Sequence, residues 1–75
     1  MIERLRAYLA VVEEGSVNRA AVRLRISQSA LSRQMQSLES EAGGRLLERG
    51  SSGVKPTGLG FLLLKENFGK RLLRK

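Results

Sequence analysis

Two short apolar-striped segments flank a join too brief to hold structure of its own, and this spacing constrains the fold more than any other feature. Val17, Ala20, Ala21 and Leu24 recur at i, i+3, i+4 and i+7, which is one face of a helix about two turns long. After Arg25-Ile26, the residues Leu31, Met35, Leu38 and Ala42 form the stripe of a longer helix. So short a join forces a tight turn. Two helices joined in this way match a helix-turn-helix unit, and the alanines of the shorter one permit close approach.

Glycine and serine punctuate the rest. Ile2, Leu5, Leu9 and Val12, with Tyr8 beside them, give an earlier helix face. Gly15 follows where a helix C-terminus needs a left-handed residue. Ser16 and Ser27 are placed to accept a backbone N–H as N-caps. Gly43-Gly44 ends the third helix. Leu46-Leu47 reads as core, and residues 48–56, with Gly50, Gly53 and Pro56, read as a loop or short β-hairpin, a wing. Thr57 is the N-cap candidate of a last helix carrying Leu59, Leu62, Leu63, Phe68 and Leu72. Gly58, Gly60 and Gly69 weaken that helix by up to ~1 kcal/mol each if interior. The expected fold is mainly α: a winged helix-turn-helix with a small β-wing and a C-terminal linker helix.

Composition narrows the function. Seventy-five residues allow one small domain. The formal net charge is +7, which favours a polyanionic partner. The chain has no Cys, His or Asp. Disulfides are excluded, zinc ligand sets cannot be built, and histidine bases and thiol nucleophiles are absent. The expectation is no enzyme, no cofactor and no metal. The opening "MIERLRAYLAVV" has too short an apolar run for a signal peptide, and "FLLL" at 61–64 falls far below the ~20 residues of a membrane span. A soluble, cytoplasmic chain is expected.

The helix from about residue 28 to 42 has an unusual outer face. Ser29, Ser32, Arg33, Gln36 and Ser40 lie opposite the apolar stripe, with Gln28 on the shoulder of the first turn. No Asp or Glu occurs from Gly15 through Leu38, while Arg19, Arg23, Arg25 and Arg33 do. A phosphate-facing surface needs that absence. Serines keep the face slim enough for a DNA major groove, Gln can pair with adenine, and Arg can pair with guanine. The helix starts at Ser16 and Ser27 offer backbone N–H groups to phosphate.

The ordered set of Tyr8, "EEGS", "RAA", "SQSALSRQ", "LE", Gly43, "LLER", Thr57 and Gly60 resembles the N-terminal DNA-binding domain of LysR-type transcriptional regulators. The resemblance covers nearly the whole chain. It implies a winged helix-turn-helix whose long linker helix pairs two subunits on an interrupted palindrome, with one recognition helix per major groove. Gln28, Ser29, Ser32 and Arg33 match the family's base-contacting or groove-lining positions, and Asn18, Arg49 and Thr57 match positions near phosphates. Where the family commonly has a basic wing residue this chain has Ser52, leaving Lys55 as the basic candidate. Leu47 stands where Phe is usual, and Pro56 replaces a usual leucine.

The expected organisation is a DNA-binding unit over 1–56 and a linker and dimerisation helix over 57–75, forming one compact body. The family's ligand-sensing domain has no counterpart in these residues, as in an excised domain or a truncated member. The expected setting is a bacterial cytoplasm, with the protein associated with the nucleoid. A different class is a membrane-surface or protein-interaction module, motivated by "FLLLKENFGKRLLRK" with Lys65, Lys70, Arg71, Arg74 and Lys75. RNA binding has little support, because Tyr8, Phe61 and Phe68 are the sole aromatics and form no stacking platform. The favoured partners are therefore double-stranded DNA and a second copy of the chain, with no membrane and no small molecule.

Overall fold

A computed structural model describes residues 2–73. Arg74 and Lys75 of the basic tail lie outside the described residues, as do the side chains of Ile2, Lys70, Arg71, Leu72 and Leu73. The elements run α1 (Ile2–Glu14), α2 (Val17–Leu24), α3 (Gln28–Ala42), β1 (Leu47–Gly50), β2 (Gly53–Pro56) and α4 (Gly58–Leu73). This is the winged helix-turn-helix expected from the sequence.

Local chemistry sets the boundaries. Gly15 and Gly43 adopt φ of 68° and 81° and end α1 and α3. The Ser16 hydroxyl accepts from Arg19 N–H at 3.2 Å, and the Ser27 hydroxyl accepts from Ala30 N–H at 3.1 Å. One terminus breaks the glycine rule: Arg25 caps α2 in the left-handed region, with φ of 60°. Its N–H and that of Ile26 close onto carbonyls of the last turn of α2, which makes the two-residue join possible.

α1 is the central helix and packs against α2, α3 and β2. Its buried face is therefore wider than the expected stripe. Leu5, Ala7, Tyr8, Leu9, Ala10 and Val11 are all buried, and Val12 is only partly so. Val17, Ala20 and Ala21 of α2 and Leu31, Met35 and Leu38 of α3 complete the centre. Leu46, Leu47 and Val54 carry the core into the wing. The pairs Leu47–Pro56, Glu48–Lys55, Arg49–Val54 and Gly50–Gly53 form an antiparallel ladder. Val54 N–H donates to the Gly15 carbonyl at 3.0 Å, so the hairpin is fastened to the α1–α2 turn.

α4 corrects the expected stripe. Among its described side chains Leu64 is the buried one, while Leu63 and Phe68 pack partly against the core. Leu59, Leu62 and Phe61 are exposed. Gly60 explains this rotation: a Cβ there would overlap the Tyr8 hydroxyl. Leu64 follows one turn later on the same face, and Phe68 one turn after that. The helix departs from helical geometry at Phe68, beside Gly69 (φ −135°, ψ 23°).

Glu13 and Glu14 bind Arg23 at 3.0 and 3.3 Å, tying the end of α1 to α2. Arg23 therefore contributes less free positive charge than the acid-free window suggests.

Candidate nucleic-acid interface

The Ser27 cap and the inward stripe of Leu31, Met35 and Leu38 fix the rotation of α3. The opposite side is left to solvent. Gln28, Ser29, Ser32, Arg33 and Gln36 line one shallow recess along it, open to solvent. Ser32 is half-buried and the other four are exposed. The five side chains form a slim polar ridge with one cation and no acid.

Two further recesses continue this surface. Ser16 and Asn18 from the start of α2 meet Gln28 of α3 and Arg49, Gly50 and Gly53 of the wing. Ser32, Gln36 and Arg49 share another with Glu39 and Arg45. Gln28 and Arg49 thus join the helix face to the wing. The hairpin can reach there because Gly53, at φ 118°, brings its backbone against the Gly15 carbonyl, where a Cβ would collide.

Strand parity decides what the wing contributes. Leu47, Arg49, Val54 and Pro56 share one face, and Leu47 and Val54 are buried on it. Arg49 extends this inner face toward α3. Glu48 and Lys55 pair on the other face. Lys55 lines none of the three recesses, so it is not brought together with the ridge.

Ser27 sits at the head of α3, with its hydroxyl occupied by Ala30 N–H and 3.3 Å from that of Ser29. Thr57 lies apart from the recesses. Its hydroxyl donates to the Arg45 carbonyl at 2.6 Å and accepts from Gly60 N–H at 3.0 Å. That confirms it as the cap of α4 and commits its proton inside the fold.

Arg45 carried no signal in the sequence reading. It belongs to no helix stripe and precedes Leu46-Leu47 in a turn. Only the path from α3 into β1 brings it beside Ser32 and Gln36. Glu39 accepts from Leu46 N–H at 2.8 Å and pins that path. Among the described residues no cluster of three His, Cys, Asp or Glu could hold a metal. No helix of the described residues is long and apolar enough to cross a membrane.

Residues 2–61 match the family model of the bacterial regulatory helix-turn-helix protein, lysR family. The chain is 55% identical over 56 residues to the HTH-type transcriptional regulator BenM of Acinetobacter baylyi, covering 75% of this chain and 18% of BenM. It is 44% identical over 70 residues to ClcR of Pseudomonas putida, covering 93% of this chain and 23% of that regulator. The chain thus spans about a fifth of the length of these relatives. Among solved structures it resembles the CbnR_DBD–DNA complex, with TM-score 0.82 and 38% identity, over 99% of this chain and 83% of that one. The BenM_DBD/benA site 1 DNA complex matches with TM-score 0.80 and 46% identity, over 99% and 81%.

Proposed function

Because the chain belongs to the lysR family of bacterial regulatory helix-turn-helix proteins, we propose that it is the sequence-specific, double-stranded DNA-binding module of a transcription regulator. One observation carries the reading: Gln28, Ser29, Ser32, Arg33 and Gln36 stand together on the outward side of α3 with no acid among them. A helix face of this width and chemistry fits the major groove. There Arg33 pairs with a guanine edge, Gln28 and Gln36 reach adenine or other base edges, and the serines let the backbone approach.

Ser16, Asn18, Ser27 and Arg49 surround this ridge and meet phosphates, which set register without reading sequence. Thr57 is assigned to a phosphate by resemblance, and Lys55 as the basic residue left in the wing. Lys55 faces the other side of the wing, and the Thr57 hydroxyl already has a donor and an acceptor partner. Their contribution is the weakest of the set.

The exposed Leu59, Phe61 and Leu62 on α4 support a homodimer formed through that helix. A two-fold dimer suits an interrupted palindrome whose half-sites lie roughly 34 Å apart. In this reading residues 1–56 bind DNA and 57–75 pair the subunits, within one body. The reading requires no catalysis, and the matched relatives named above are transcriptional regulators. A bacterial cytoplasmic setting at the nucleoid follows from the partner.

Arg33→Ala tests the assignment of α3. On a duplex selected from a random pool, the variant loses ~1–3 kcal/mol relative to the parent, and its preference over scrambled DNA relaxes. Unchanged affinity for both duplexes, measured by fluorescence anisotropy, would show that α3 does not read the bases.

A further inference from the structure

We propose that Arg45 is a further DNA-contacting residue, meeting a phosphate on the wing side of α3; this rests on the DNA-binding reading above. Arg45 lines one recess with Ser32, Gln36 and Arg49, which come from the two elements assigned to the interface. It does not line the recess formed by Gln28, Ser29, Ser32, Arg33 and Gln36. Its place is therefore at the edge of the ridge, where the DNA backbone passes, and not over the bases.

The electrostatics of that edge require a cation. Glu39 lines the same recess. It cannot turn away without losing the Leu46 N–H, which it accepts at 2.8 Å. A carboxylate fixed there repels an approaching phosphate unless its charge is offset. Arg45 Nε stands 3.9 Å from this carboxylate and offsets it.

Arg45 is also loosely held. Its other polar contact, from Nη2 to the Leu47 carbonyl, is 3.5 Å long. Its side chain is 75% exposed. The other ion-paired arginines among the described residues are more enclosed. Arg4 and Arg23 are 31% and 44% exposed, with partners at 3.0–3.3 Å. A guanidinium has five donors in a planar fork. Arg45 can keep one edge toward Glu39 and present another to a phosphate oxygen.

The test compares the parent with Arg45→Gln, Arg45→Lys and Arg6→Gln on a selected duplex and a scrambled one across a salt series. Arg6 lies in a separate groove with Leu9, Leu24 and Phe68, so it controls for loss of charge away from the interface. Thermal melting of each variant checks folding. Arg45→Gln lowers the slope of log affinity against log salt by about 0.9 on both duplexes and leaves their affinity ratio unchanged. Arg45→Lys keeps the parent slope, and so does Arg6→Gln. A folded Arg45→Gln with the parent slope overturns the proposal. So does an equal fall in Arg6→Gln, or a changed ratio between duplexes. A parent that binds both duplexes alike contradicts sequence-specific binding itself, and that result precedes any comparison of variants.

Discussion

Gly60 has no side chain because the Tyr8 hydroxyl and the Leu46 carbonyl occupy the place where one would stand. Tyr8 is fully buried and donates to that carbonyl at 2.6 Å, which joins α1 to the start of the wing. Gly60→Ala overpacks this junction and destabilises the fold by about 1–3 kcal/mol, measurable by urea unfolding. Burial, with a smaller effect from the Glu39 charge, pushes the Tyr8 phenol well above its ordinary value of 10.0. The neutral form is thus favoured in the folded state. Its stabilisation is fully present below pH 10 and is lost as pH rises from there through the higher folded value. Tyr8→Phe removes the hydrogen bond at a cost of about 0.5–1.5 kcal/mol and flattens the fall in stability above pH 10. Urea midpoints at pH 8 and above 10 check both effects, and an unchanged alkaline slope in Tyr8→Phe would contradict them.

At the scale of elements, what could be read depended on whether local chemistry decided the outcome. Ser16 and Ser27 act within their own first turns, and Gly15 and Gly43 close α1 and α3 locally, so the end of α1, the starts of α2 and α3 and the end of α3 were legible. Ser27→Ala should cost about 1 kcal/mol of stability through loss of the α3 cap, seen as a lower urea midpoint. The ridge of Gln28, Ser29, Ser32, Arg33 and Gln36 was legible for the same reason, since the periodicity of one helix gathers it. α4 was not. Leu59, Leu62, Leu63 and Leu64 are all apolar, so periodicity could not choose a face. The contact of Gly60 with Tyr8 chooses it, and Leu64 goes inward. The wing residues depended on pairing register: it puts Arg49 beside α3 and Lys55 on the far face. Arg25 could not be foreseen as left-handed, because its conformation follows from closing α2 onto the turn.

For the whole molecule, the core ends where α4 leaves it, and Leu59, Phe61 and Leu62 remain uncovered. If they form the seam between two copies, a charge placed there separates the copies without touching α3. Leu62→Glu should sediment as a monomer. Its affinity for a two-half-site duplex should fall toward that for one half-site, on the order of 10²-fold or more, while half-site affinity holds. The central claim, that the α3 ridge reads DNA sequence, is tested most directly by selecting tight-binding duplexes from a random pool and sequencing them. The account predicts enrichment of an interrupted palindrome, bound in preference to scrambled DNA at every salt concentration. A pool that stays random, with every duplex bound alike and released alike by salt, would contradict it: the positive charge would then attract DNA without reading it.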